Sequence, residues 1–400
     1  MVYNIQKDNF YFIGDILNIK LDSLKKLNRG LILSSLKNNS FTRVELQKYT
    51  GLAAGTLSNI MKELVMENII LEAEENSSSR GRKGTKLSIN YDYKYVIGIK
   101  IKRGTMIGSL NSLDGVSLEN LTLNIPDKSP ETIVDLIVKI YNQLKGDKSI
   151  LGLGIAFPGQ IDSNEGIVTF SAFYNWEKIK LRELIQEKID CAVFIENDVR
   201  AMALSEKDFI DSDIKNMIYI NIDRGVSCGI IFNNTLLLGD NFVAGQLGHS
   251  FVENNGKVCN CGKIGCLETI MTNPRMLEEY LEKTNHKLSN NEHISFSFFV
   301  EKIENKDEVA LKILDHAIHS LAVVVGNLSN ILNISTIIVG GDVTKCEEVF
   351  FKSFFKHMSS VCIPYVTENL NIRKSKFEHN DNTIGAVYVV LNQFFIGNIL

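Results

Sequence analysis

The chain has 400 residues, 44% of them apolar and 22% charged, with a formal net charge of −4. This is enough for two or three domains with cores of their own, while no apolar run approaches the roughly 18–20 residues of a membrane span. The start, MVYNIQKDNFYFIGD, lacks the basic region and unbroken apolar stretch of a signal peptide, so a cytosolic protein is expected. The charge is unevenly spread: residues 1–90 carry +4 and the remainder −8. A basic head on an acidic body suits a polyanion partner for the head alone.

Residues 1–22, with Phe10, Phe12, Ile13, Ile16 and Leu17, read as an arm that either docks between head and body or frays. In LDSLKKLNRGLILSSLKNN, the residues Leu24, Leu27, Leu31 and Leu36 approximate one helical face. Thr42 and Glu45 form a capping box for a short second helix that Gly51 ends. A third helix follows, with Leu57, Ile60, Met61 and Leu64 on its inner face. Its outer face offers Gly55, Thr56, Ser58, Asn59 and Lys62, small and polar side chains that can approach base edges. Two strands then flank a tip carrying Arg80, Arg82 and Lys83 among glycines. Three helices and a basic-tipped hairpin over residues 23–90 are the order of a winged helix-turn-helix, whose tip would enter a minor groove or clamp phosphates. A small helical interaction domain with a solvated basic loop is the plainer alternative.

From Tyr95 short strands alternate with helices, which predicts an α/β body of two lobes. YVIGIKI, MIGSL and VSLENLTLNI read as a meander. SPETIVDLIVKIYNQLK reads as a helix capped by Ser129, with Pro130 first and Ile133, Leu136, Ile140 and Leu144 on its buried side. The first lobe is expected over 91–205, completed by 385–400, and the second over 206–384.

His249, Cys259, Cys261 and Cys266 give H-x9-C-x-C-x4-C, a soft-to-borderline donor set that suits tetrahedral zinc in a reduced compartment. Four protein donors close the coordination sphere and leave no place for an activated water, so the zinc is expected to be structural. A redox C-x-C is the competing reading, disfavoured by the histidine. Cys191, Cys228, Cys346 and Cys362 are scattered through apolar stretches, as reduced buried thiols would be.

The order FPGQID, NW, IENDVRA, AGQLGH, CNCGKIGCLE and IIVGG resembles the ROK family of sugar kinases and sugar-responsive repressors, across residues 91–400. The resemblance implies an actin/hexokinase-like two-lobed body, here preceded by the winged helix that the repressor branch carries. It implies sugar contacts from Gly159, Asn197, Asp198, Gln246, His249 and Glu268, with Gln246 standing where the family has glutamate. Asn197 and Asp198 also suit the capping of a helix. If one ring nitrogen of His249 holds zinc, the other can still donate to a sugar hydroxyl.

Asp198 matches the family's catalytic base. Phosphoryl transfer also needs loops that cradle phosphate and hold magnesium. Where the kinases have G-x-D-x-G-G-T, this chain reads GIKIKRG, placing Lys100, Lys102 and Arg103 at the aspartate and glycine positions. Where they have G-T-G-x-G it reads DRGVS, keeping only Gly225 and adding Asp223. Gly340 and Gly341 match the nucleotide-side glycine pair but equally suit a tight turn. The resemblance therefore implies a sugar sensor without kinase activity, Asp198 being a vestigial base. Lys100, Lys102, Arg103 and Arg224 either pair with nearby carboxylates or receive the phosphate of a sugar phosphate. The expected protein is a repressor of carbohydrate-use genes, sensing xylose or a hexose. It would bind operator DNA as a homodimer or homotetramer. A working kinase with a DNA-binding appendage and a non-enzymatic interaction protein remain the alternatives.

Overall fold

The computed structural model describes residues 21–37, 39–74, 85–210, 214–286, 294–377 and 382–399. The expected arm at 1–22 falls almost wholly outside the described residues, and Arg80, Arg82 and Lys83 fall outside them entirely.

Among the described residues three helices and a small sheet come first: α1 (Leu21–Leu36), β1 (Phe41–Thr42), α2 (Arg43–Thr50), α3 (Ala54–Met66), β2 (Ile70–Glu74) and β3 (Thr85–Ile89), with strand order β1-β3-β2. The capping box forms as expected. Thr42 Oγ1 accepts from the Glu45 N–H at 3.3 Å, and Glu45 Oε2 accepts from the Thr42 N–H at 2.8 Å. Gly51 closes α2 at φ 68°, in the left-handed region that favours glycine. Thr42→Ala is expected to loosen the first turn of α2 by about 1 kcal/mol. Amide exchange across residues 43–46 would rise about five-fold.

The buried side of α1 differs from the expected one. Leu24, Leu27 and Leu31 are 43%, 57% and 41% exposed; of the expected row only Leu36 is buried, and Ile32 and Leu33 are buried beside it. Leucines stand on two faces of α1, and tertiary packing chooses between them. Ile32, Leu33 and Leu36 join Leu46, Leu57, Ile60, Met61 and Leu64 of the head, and Val387, Leu391 and Phe394 near the end of the chain, in one core. Arg29 ties α1 to α3 through ion pairs with Glu63 and Glu67.

The first lobe is built on a five-stranded sheet of order β11-β7-β4-β5-β6. Here β4 (Tyr95–Ile101), β5 (Thr105–Asn111) and β6 (Ser117–Asn124) form the expected antiparallel meander, and β7 (Ile150–Phe157) and β11 (Ala192–Asn197) add in parallel. Helix α4 (Pro130–Lys145) covers the sheet, and Ser129 caps it with Pro130 in the first turn. Ile133, Ile137, Ile140 and Leu144 are its buried row, while Leu136 lies half-buried beside it. A small sheet of β8 (Gln160–Asp162), β9 (Ile167–Ser171) and β10 (Trp176–Ile179), followed by α5 (Leu181–Gln186), extends the lobe towards the cleft.

Helix α6 (Asp198–Asp208) leads to the second lobe, whose sheet repeats the pattern of the first. Its order is β14-β13-β12-β15-β16. The strands β12 (Met217–Ile222), β13 (Val226–Phe232) and β14 (Thr235–Leu236) are antiparallel, with β15 (Thr336–Gly340) and β16 (Asn371–Lys374) parallel. Helices α7 (Glu268–Met271), α8 (Asn273–Lys283), α9 (Phe296–Glu304), α10 (Glu308–Leu332), α11 (Glu347–Val361) and α12 (Pro364–Glu368) belong to this lobe. The expectation that no segment reaches the length and apolarity of a membrane span is corrected by α10, which passes that test by length and composition. Its Ile313, Leu314, Ile318, Leu321 and Val325 are the centre of the lobe's core, which explains the composition. The last helix, α13 (Ile384–Phe395), returns to pack on the first sheet, on α6 and on α1.

Candidate functional site

All six residues expected at a sugar site line one cleft of about 560 Å³: Gly159, Asn197, Asp198, Gln246, His249 and Glu268. Asn197 is fixed from both sides. Its Oδ1 accepts from the N–H groups of Val199 and Arg200 at 3.0 and 3.1 Å, so it caps α6. Its Nδ2 donates to the Gly159 carbonyl at 2.9 Å and to Asp198 Oδ1 at 3.2 Å. Capping and cleft lining are thus combined in one side chain. Burial raises the Asp198 carboxyl above its ordinary range, and Lys100 opposes that rise.

Beneath this floor lies a pair that the sequence reading missed. Arg200 and Glu196 form an ion pair at 2.5 Å with side chains 3% and 5% exposed. Arg200 also donates to the carbonyls of Phe242 and Ile161, both at 2.8 Å. Glu196 accepts from Ser163 at 2.7 Å and from the Asn197 N–H at 2.7 Å. The guanidinium therefore ties the loop leading to Gln246 to the strand beside Asn197. The available signal was a glutamate and an arginine four residues apart within IENDVRA. Arg103, Arg224, Arg275 and Phe173 also line the cleft.

The four expected metal ligands converge. One donor atom from each of His249, Cys259, Cys261 and Cys266 lies within 4.8 Å of the others. The sulfurs of Cys261 and Cys266 are 3.7 Å apart, and Cys259 Sγ is 3.6 Å from His249 Nδ1. A tetrahedral zinc with ordinary bond lengths needs S–S and S–N edges of about 3.8 and 3.6 Å, so the donors fit. A tight turn, in which the Gly262 N–H donates to the Cys259 carbonyl at 2.9 Å, brings the thiols together. The Lys263 N–H holds the Cys261 thiol below its ordinary pKa. Glu268 opens α7 two residues after Cys266, so the metal loop sets its position. His249 approaches the cluster through Nδ1 and also lines the cleft.

A second cavity of about 670 Å³ adjoins the first and shares Arg103, Asp198 and Arg224 with it. Lys100, Lys102, Asp223 and Asp342 also line it. Lys100 is 4% exposed. Arg103 stacks over the Phe173 ring at 4.8 Å, and among the described residues neither Arg103 nor Arg224 has an ion-pair partner. Gly341, at φ 94°, follows β15 beside this cavity, and a side chain on Gly340 would meet Tyr219 Oη at 2.4 Å. In the head, Gly55, Ser58, Asn59 and Lys62 are exposed along the outer face of α3 and Thr56 is half-buried.

Two lobes of matching sheet pattern around a polar cleft, with a four-donor cluster at its rim, define a class. The ROK family profile matches residues 96–393, and the chain belongs to the ROK family. It is similar to the xylose repressor of Bacillus spizizenii, with 29% identity over 93% of this chain and 96% of that protein. In fold it is similar to a ROK family transcriptional regulator, a homologue of the Escherichia coli MLC protein. The TM-score is 0.85 and the identity 23%, covering 94% of this chain and 97% of that one. A ROK family glucokinase from Streptomyces griseus, solved with glucose and AMPPNP, matches with a TM-score of 0.63 and 22% identity. It covers 73% of this chain and 98% of its own.

Proposed function

We propose that the chain is a sugar-responsive DNA-binding transcriptional regulator, a repressor of carbohydrate-use genes. Residues 23–90 act as its winged helix-turn-helix, and 91–205 with 385–400 and 206–384 act as the two lobes of its sensor. The observation that carries this reading is the joining of two features in one chain. A cleft lined by Asn197, Asp198, Gln246, His249 and Glu268 lies between the lobes. A three-helix head with a polar outer helix face is seated on the same body. Gly55, Thr56, Ser58, Asn59 and Lys62 contact base edges and phosphates, and Arg80, Arg82 and Lys83 the backbone beyond. The chain works in the bacterial cytoplasm, on nucleoid DNA, as a homodimer or homotetramer whose two-fold symmetry matches a palindromic operator. D-xylose is the first sugar to test, because the chain is similar to a xylose repressor.

Zinc held by His249, Cys259, Cys261 and Cys266 is structural in this reading: four protein donors leave it no open position. The body is a sensor and not a kinase. Lys100 stands where a magnesium-binding aspartate is needed, and Lys102 and Arg103 where glycines would admit phosphate. Asp198 then serves as a hydrogen-bonding partner for a sugar hydroxyl. A second reading of the ligand is favoured by Arg103 and Arg224, whose guanidinium groups face the shared part of the two cavities. They suit the phosphate of a sugar phosphate, with Lys100 and Lys102 completing the charge.

The test uses the full chain. Thermal shift is measured with D-xylose, D-glucose, N-acetylglucosamine and the hexose 6-phosphates, and DNA binding with a duplex selected from a random library. A sugar at 100 times its Kd stabilises the chain by about 2.7 kcal/mol, and Asp198→Asn removes the shift. The same sugar changes DNA affinity by a factor of about 5–150. Tighter binding of free sugars than of their phosphates rejects the second reading. Phosphoryl transfer from ATP to any of these sugars, abolished by Asp198→Asn, overturns the sensor reading in favour of a kinase. Indifference to DNA overturns the regulator reading in favour of a protein-interaction module.

A further inference from the structure

One helix connects the cleft with the head. The first turn of α6 carries Asp198 and is capped by Asn197, both in the cleft wall. Its last residue, Asp208, forms an ion pair with Lys37, just beyond the end of α1 in the head. Eleven residues at 1.5 Å each place these ends about 16 Å apart.

The far end is a built joint. The Lys37 and Asp208 side chains are 18% and 22% exposed. Lys37 Nζ also lies over two rings of α13, 4.3 Å from the Phe395 centroid and 5.2 Å from that of Tyr388. The Tyr91 hydroxyl donates to the Lys37 carbonyl. Burial draws the Lys37 ammonium below its ordinary pKa, and Asp208 opposes the shift. Close by, α1 is seated on the body: Ser34 donates to the Phe395 carbonyl at 2.7 Å, and a side chain on Gly30 would lie 2.3 Å from the Ile396 carbonyl oxygen.

The shaft between these ends is held tightly. A Cβ on Gly229 of β13 would lie 2.5 Å from Ala203, and a Cβ on Gly385 of α13 would lie 3.1 Å from the backbone of Ala201 and Met202. Both second-lobe sheet and C-terminal helix therefore grip α6 at backbone distance. An element packed this closely moves as a unit and does not absorb a displacement along its length.

We propose that α6 is the rod through which the cleft controls the head, and that Lys37–Asp208 is its joint. A sugar held by Asn197 and Asp198 shifts α6, and the joint passes the shift to α1. The pair suits a switch because two charges this sheltered from solvent lose their attraction steeply as they separate, so the contact is either made or broken. Ligand acts by favouring one of these two seatings over the other. The inference rests on the sugar-responsive regulator reading above.

The experiment compares the full chain with Lys37→Met, Asp208→Asn and the reversed pair Lys37→Glu/Asp208→Lys. These positions lie outside both the cleft and the outer face of α3. For each protein, calorimetry gives D-xylose affinity. The selected duplex gives DNA affinity with and without saturating xylose. In the parent the ratio of the two DNA affinities is about 5–150. In both single variants xylose affinity and sugar-free DNA affinity stay near the parent's while that ratio collapses towards one, and the reversed pair regains part of it. Xylose also alters amide exchange at residues 31–37 in the parent and not in the single variants. Should Asp208→Asn fail to fold, Lys37→Met carries the same test, because the Asp208 carboxylate it leaves behind keeps the Tyr388 hydroxyl as a hydrogen-bond partner. Single variants that keep the parent ratio overturn the joint while leaving the regulator reading intact. A parent chain that does not bind xylose, or whose DNA affinity ignores it, overturns the xylose-responsive reading and the joint with it.

Discussion

Stripping the four-donor cluster of the zinc proposed for it is expected to abolish the sugar response while leaving both lobes folded. Structural zinc sites of this donor type bind with about 10–16 kcal/mol of apparent free energy, and that energy is folding energy for whatever the metal organises. Here the organised unit is a loop. Between His249 and Cys266 the chain has only short turns and two isolated bridges, Phe251 with Cys266 and Val258 with Ile264. The lobe's core, from Ile218 to Val366, is built mainly from the sheet and helices and touches the loop only at its flanks, Leu247 and Leu267, and at Val252. Losing the metal therefore releases His249 and Glu268 from their places in the cleft without emptying that core. Metal analysis should give one zinc per chain in the parent and a marked deficit in Cys266→Ser. Circular dichroism should change little. The melting-temperature rise produced by sugar should vanish in both the chelated parent and the variant. A metal-free chain that binds its sugar as tightly as before would remove the staple from the account.

The second large effect is expected at Arg200. Arg200→Met leaves the Glu196 carboxylate buried without its cation and frees the carbonyls of Phe242 and Ile161. Breaking a buried pair from one side costs about 3–5 kcal/mol. Glu196 already has its pKa raised by burial, with Arg200 the principal opposing influence. Without Arg200 the folded state binds that proton still more tightly than the unfolded chain does. The variant is therefore penalised most at neutral and alkaline pH and regains stability as the pH falls through the raised pKa of Glu196. The double variant Glu196→Gln/Arg200→Met should be more stable than Arg200→Met alone at pH 8. Denaturant melts at pH 5 and pH 8 check both statements, and equal losses at the two values would contradict the charge argument.

What could be read from the residues was mainly local. The capping box at Thr42, the caps at Ser129 and Gly51, and the cysteine spacing all depend on neighbours a few positions away. The cleft residues were legible as a set only because a known family's motifs appear here in the same order. The buried face of α1 was legible only at Leu36. Leu24, Leu27 and Leu31 form as regular a row as Ile32, Leu33 and Leu36, and the choice between them is made by α13, hundreds of residues downstream. Arg200 was passed over because its importance comes from two carbonyls about 40 positions away in opposite directions, and a carbonyl leaves no mark on a sequence. The contact between Lys37 and Asp208 spans 171 positions and joins two residues that each look like ordinary surface charges.

The position of α13 has a consequence for how the protein is made. It lies against β4, β7 and β11 and against α1, so the first lobe and the head share a core with a helix that is translated after both sheets. The ribosome has delivered both sheets and the whole second lobe before that core can close. Until then the apolar undersides of β4 and β7 and the inner face of α1 wait uncovered, which makes the nascent chain a natural client for chaperones and a shortened chain prone to aggregate.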